Sequence, residues 1–165
     1  MDQLDPHIFG DGQPCFGCSP DHPTGFRLTF EREGDDVVSR FVPGPNHQGP
    51  PGVMHGGLVL TLADEVGAWT VLGLLEKFGF TAQLDSKLRA PIRIGKTVEA
   101  RGRIAAANSR VVRVAISLTQ GDVLCAEANA AFVLLDQHAA EKLLDAPMPD
   151  SWKRFCRTPS KTPAP

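Results

Sequence analysis

Tyrosine does not occur among the 165 residues, which removes one common general acid from any catalytic reading. Aromatic residues reach only 7%, a thin supply for stacking nucleic-acid bases. Neither sign of charge dominates. Seventeen Lys and Arg against nineteen Asp and Glu leave a net charge of -2, which argues against a general nucleic-acid binder. Of the four cysteines, Cys15, Cys18, Cys125 and Cys156, only the first two are close, so the dense disulfide framework of a small secreted domain is missing. The N-terminus, Met1 to Pro6, has neither a basic start nor an apolar run. No signal peptide is expected, and a reducing cytoplasm is the expected location.

What is present fits one folded domain: 42% of residues are hydrophobic and 22% charged. Three parts are expected. Residues 1–24 read as an irregular Pro- and Gly-rich arm carrying the CxxC, residues 25–136 as the domain proper, and residues 137–165 as a covering segment with a Pro-rich tail. The longest apolar stretch, Gly56 to Leu75, carries Asp64 and Glu65 at its centre. An acid at a bilayer midplane costs about 2.5–3.5 kcal/mol, and each Leu or Val returns only about 0.3–0.6. A core helix is therefore expected, not a membrane span.

Around that helix the chain reads as strands. Gly25 to Glu33 alternates Phe26, Leu28 and Phe30 with polar residues, and Val37 to Val42 follows a Gly34-Asp35-Asp36 turn. The loop from Pro43 to Met54 is too rich in Pro and Gly to be regular. The helix is expected from Gly56 to about Glu76, with Gly79 as its stop. From Phe80 to Leu135 about four strands follow, with Gly95-Lys96, Asn108-Ser109 and Gly121-Asp122 as antiparallel turns. Ala126, Ala128 and Ala130 alternate in the last of them, small enough for a close approach to the helix. The pattern is α+β, and one helix covers a sheet only if the sheet curls around it.

Asp64 is the residue to explain. Steps of three or four along its helical face meet Leu60, Ala68, Val71 and Leu75, all apolar, whereas Glu65 lies on a more mixed line. Of the two acids, Asp64 is expected to be the buried one. A buried carboxylate is penalised unless something offsets it, so it marks either a reactive group or one paired at a dimer seam or with an arginine. His55-Gly56-Gly57 stands at the helix start, as a backbone anion site or simply a flexible turn. Gly56 and Asp64 are eight residues apart, roughly 12 Å along one helix. A donor and an attacking group must both lie within about 3 Å of one reacting centre. Two antiparallel copies of the helix satisfy this, so a homodimer with composite sites is expected.

The run NHQGPPGVMHGGLVLTLADE, followed by strands ending in LRAPIRIG, resembles the hotdog-fold acyl-CoA thioesterases, specifically the PaaI-like branch, over roughly Gly25 to Asp136. The resemblance implies a hotdog fold, a curled antiparallel sheet around one long helix, with dimers pairing into tetramers. It implies that Asp64 is the nucleophile or general base, that the Gly56 N–H polarises the thioester carbonyl, and that His55 and Gly57 shape the turn. In related members an Asn or Gln stands six residues before the His. Here that position is Gly49 and the loop reads as two residues longer, so Asn46, or His47 and Gln48, take its place. The hydroxyl that follows the helix in the family falls on Thr81. The segment Leu88 to Arg93, with Arg89, Ala90, Pro91 and Arg93, corresponds to the pantetheine and phosphate path, and Arg110 is a further candidate. Coenzyme A is part of the substrate; no separate cofactor, resident metal, nucleic acid or membrane is expected.

Two features stand beside this. From Lys87 to Arg113 there are eight basic residues and one acid, Glu99, a local formal charge of +7. It is either a phosphate-binding field or a sheet face neutralised by acids from elsewhere. Cys15-Phe16-Gly17-Cys18, with His22 and His7 nearby, has partial zinc-ligand spacing, but no second cysteine pair follows. Three activities stay open at this point: hydrolysis of an acyl-CoA thioester, non-catalytic acyl-CoA binding as a sensor or carrier, and dehydration of hydroxyacyl thioesters. The third lacks its usual loop pattern here.

Overall fold

The computed structural model describes residues 2–10 and 12–158. In chain order it has strands β1 (Asp2–Gln3), β2 (Glu31–Glu33) and β3 (Asp36–Phe41), a 3-10 turn at Pro45–His47, helix α1 (Gly56–Leu75), strands β4 (Gly79–Leu88), β5 (Val98–Ala107), β6 (Val111–Gln120) and β7 (Val123–Leu134), and helices α2 (Gln137–Leu144) and α3 (Asp150–Lys153). The strands make one antiparallel sheet in the order β1-β2-β3-β5-β6-β7-β4, curled around α1. This is the hotdog arrangement. Most of the expected Pro-rich tail, residues 159–165, lies outside the described residues.

Alternation explains the strands that face α1. Val112, Val114, Ile116 and Leu118 of β6 are buried, as are Ala126, Ala128, Ala130 and Phe132 of β7. From the helix side, Val59, Leu62, Val66, Trp69 and Val71 fill the space, and Phe30 stacks on Trp69 with ring centroids 4.5 Å apart. Burying each such side chain stabilises by about 1.5–3 kcal/mol. The helix lies close enough that a Cβ on Gly67 would sit 2.8 Å from the Phe132 ring. Only glycine fits there. Of the described helices, α1 alone is long and apolar enough to cross a membrane, and half of its apolar window is buried inside the protein.

Several boundaries differ from expectation, each for a physical reason. Within Gly25–Glu33 only Glu31–Glu33 joins the sheet, because the N–H groups of Phe26 and Leu28 donate to Phe16 and Gly17 of the arm instead. Phe26, Leu28 and Phe30 still point inward. The arm also supplies an unexpected short strand, β1, paired with β2. Helix α1 has the expected extent, ending at Leu75, but its stop is Glu76 rather than Gly79, with Glu76 in the left-handed conformation at φ 52° and its N–H on the Leu72 carbonyl. Gly95-Lys96 is not a hairpin: β4 lies at one edge beside β7, and β5 lies beside β3, so the connection crosses over. Alternation in β7 puts Leu124 on the inward face with Ala126 and Cys125 on the outward one, and the structure reverses the two. The β6–β7 register slips between Leu118 and Thr119, which leaves Cys125 as the extra residue of a bulge, turned inward, with Leu124 38% exposed.

Candidate functional site

The helix start is built as a donor. His55 caps α1, its Nδ1 accepting the Gly57 N–H at 3.0 Å, which places the imidazole proton on Nε2. That cap uses the Gly57 N–H and leaves the Gly56 N–H without a partner among the described residues. Gly56 opens onto a cleft of about 380 Å³ lined by Met54, Leu88, Arg89, Ala90, Pro91 and Cys125. Arg93 and Lys96, with Ala90 and Pro91, line a neighbouring cleft of about 450 Å³. The sequence motifs HGG and LRAPIR, more than thirty residues apart, therefore meet at one helix end.

Asp64 lies two turns further along α1. The Thr81 hydroxyl of β4 donates to Asp64 Oδ1 at 2.8 Å. Thr81 reaches it because its cross-strand partner is Phe132, which faces the helix, and because the β4–β7 register slips between Thr81 and Gln83. The bulge aims the hydroxyl at the carboxyl. Burial raises the Asp64 pKa above its ordinary value, and the Thr81 hydrogen bond opposes part of that rise. Leu60, Asp64 and Ala68 are only half-buried within this chain. The expectation that Asp64 is the more deeply buried acid is overturned: burial pushes Glu65 further, to about 8, because its neighbours are the arm cysteines.

The loop residues divide. His47 is taken up by the loop itself, its Nδ1 accepting the Gly44 N–H and its ring packing on Phe26 and Phe41; burial lowers its pKa. Gln48 accepts from the Gly52 N–H and donates to the Pro45 carbonyl. Asn46 is exposed, and its side chain forms no hydrogen bond among the described residues.

The basic run is partly cancelled by acids that sequence distance hid. Arg89 pairs with Glu127, and Arg101 pairs with Glu33, Asp36 and Glu99. Arg103 also binds Asp36. Lys87, Arg93, Lys96 and Arg113 form no ion pair among the described residues. Arg110 lies apart from the cleft. Its carbonyl accepts from Leu134, whereas Arg89 bonds the carbonyl of Cys125, nine residues back along β7 and roughly 30 Å away.

The Asp36 cluster yields a stability test. Asp36 is only 6% exposed and its two arginines hold its pKa below the usual range, although much of Arg103 is solvated. Its contribution is present above the ordinary aspartate pKa of about 3.9 and is lost as pH falls through the lower folded value. Asp36→Asn is expected to cost about 1–3 kcal/mol at pH 7 in urea denaturation, with the gap to wild type closing in acid. A gap that stays constant with pH would refute the assignment.

The chain has identifiable relatives. A family model described as the thioesterase superfamily matches residues 51–129. An uncharacterised protein of Schizosaccharomyces pombe is 31% identical over 112 residues, 63% of each chain, so the match spans less than two-thirds of that relative. The crystal structure of a thioesterase superfamily protein from Shewanella loihica is 30% identical with a TM-score of 0.57, covering 64% of this chain and 89% of that one. Another thioesterase superfamily structure, 24% identical, has a TM-score of 0.66 over 72% of this chain and 59% of the other.

Proposed function

From the premise that residues 51–129 belong to the thioesterase superfamily, we propose that this protein hydrolyses acyl-CoA thioesters, as a member of the PaaI-like branch acting in the cytoplasm. The observation that carries the reading is that one helix, α1, holds both a half-buried, hydroxyl-held carboxyl, Asp64, and an N–H at Gly56 without a partner among the described residues. Asp64 acts as general base. Thr81 holds Oδ1, leaving Oδ2 to take a proton from water as that water attacks the thioester carbonyl. The tetrahedral oxyanion accepts the Gly56 N–H, aided by the helix dipole. The C–S bond then breaks, and the departing thiolate of coenzyme A is protonated from Asp64 or solvent. Asn46 is free to contact the acyl group or the water.

Within one chain the two groups are roughly 12 Å apart along α1. The catalytic unit is therefore a homodimer in which Gly56 of one copy faces Asp64 of the other, with a dimer of dimers following the family pattern. The exposed edge strand β4, with Phe80 49% and Leu88 55% exposed, supports this by offering unpaired backbone and apolar side chains to a second copy. The half-exposed Asp64 face of α1 adjoins that edge.

Thiol release from a panel of acyl-CoAs, followed with a thiol reagent, tests the function. Stoichiometric thiol and free acid are expected, and no release from any of the panel would overturn it. In the same assay the Arg89→Ala, Arg93→Ala double variant is expected to raise KM by about tenfold, with kcat changed less. An unchanged KM would remove both arginines from the phosphate path.

A further inference from the structure

The thioester reading leaves the CxxC arm and Glu65 without a role, yet the fold brings them together. Cys15 Sγ lies 2.8 Å from Cys18 Sγ and 3.3 Å from Glu65 Oε1, and one donor atom from each of the three residues fits within 4.8 Å. The turn between the cysteines holds the first sulfur in place: the Cys18 N–H donates to Cys15 Sγ at 3.3 Å. Gly17 is bare where it must be, because any Cβ there would overlap the Glu65 side chain. The loop is pinned from behind, with Phe26 N–H donating to the Phe16 carbonyl at 3.0 Å and Leu28 N–H to the Gly17 carbonyl at 2.9 Å.

Three acids thus converge from an arm and a helix fifty residues apart. Among the described residues no lysine, arginine or histidine forms an ion pair with any of them. His22 is engaged elsewhere, its Nδ1 accepting the Thr24 N–H, and neither His22 nor His7 belongs to the group. Two cysteine sulfurs therefore face the Glu65 carboxyl, with no cationic partner among the described residues.

We propose that Cys15, Cys18 and Glu65 are ligands of a zinc ion that fastens the N-terminal arm to α1. Two thiolates and one carboxylate form a donor set suited to a borderline-soft tetrahedral cation and poor for magnesium or calcium. Zinc takes cysteine as thiolate and glutamate as carboxylate, so binding releases the protons these groups hold. Zinc–sulfur bonds of about 2.3 Å set tetrahedral sulfurs about 3.8 Å apart, so the pair opens by about 1 Å, within a side-chain rotation of the half-buried Cys15. The fourth position faces a cavity of about 160 Å³ lined by Gln13, Phe9, Trp69 and Trp152, room enough for water.

The test is metal content of the full chain, purified without a histidine tag. About one zinc per chain is expected, falling at least about tenfold in Cys18→Ser and in Glu65→Gln. Because a cysteine variant can fail to fold, the wild-type protein is also stripped and reloaded with cobalt(II), and a sulfur-to-cobalt charge-transfer band is expected. Metal-free wild type that takes up no cobalt, cobalt bound without that band, or a native mass showing a Cys15–Cys18 disulfide would each overturn the proposal. These readouts do not involve thioester turnover, so failure here and failure of the hydrolase reading are distinguishable.

Discussion

Asp64→Asn is expected to lower kcat by about 10²–10⁴ while KM changes little, because a general base acts on the transition state and not on substrate binding. The substitution isolates the chemistry. Asparagine has the same shape, and its Oδ1 still accepts the Thr81 hydroxyl that now donates to the carboxylate at 2.8 Å. What disappears is the capacity to take a proton from water. Companion Thr81→Val should cost much less, since it removes the group that orients the base and leaves the base in place.

Stability moves the other way, which makes the result hard to mistake for unfolding. Burial penalises the charged form of Asp64, as the upward shift of its pKa records. Replacing it by a neutral amide removes that penalty, so the variant should melt at or slightly above the wild-type temperature. A slow, well-folded dimer is the expected outcome. An Asp64→Asn protein that keeps kcat within about tenfold of wild type would place the base elsewhere.

Much of this site was legible in the chain, and the rest was hidden for identifiable reasons. The α1 start at His55-Gly56-Gly57 and its apolar run are local features, and local features survive folding. Likewise the β6 alternation of Val112, Val114, Ile116 and Leu118 reports one face of a sheet wherever that sheet goes. Alternation fails at bulges, because one extra residue flips every side chain beyond it. Cys125 turned inward for that reason, and the Thr81 contact with Asp64 depends on a second bulge that no pattern of residues announces. Charge counted along the sequence also misleads. The +7 run contains Arg89, Arg101 and Arg103, whose partners Glu127, Glu33 and Asp36 lie on strands far away in the chain. Glu65 is the sharpest case: beside Asp64 in sequence, it points to the arm, and only the docked CxxC gives it a surrounding.

Gly56→Pro is the second substitution with a large expected effect, and it tests the shared site directly. Gly56 is the first residue of α1, where proline is tolerated because its missing N–H has no helical partner and its φ suits the helix. His55 already has the extended backbone, at ψ 132°, that a following proline requires. The nearest obstacle is the flexible Leu88 Cδ1, 3.3 Å from where a Cβ on Gly56 would sit. Folding should therefore survive while the proposed oxyanion donor is deleted, at a cost of about 10²–10³ in kcat. Mixing then discriminates between one-chain and two-chain sites. If each site takes Gly56 from one copy and Asp64 from the other, a Gly56→Pro/Asp64→Asn heterodimer has one site with both defects and one intact. Subunit exchange between equal amounts of the two inactive variants places about half of the chains' dimers in the mixed form, each at half activity, so about a quarter of wild-type turnover should return. Were donor and base to sit in the same chain, every site would keep one defect, and the mixture would stay as inactive as its parents.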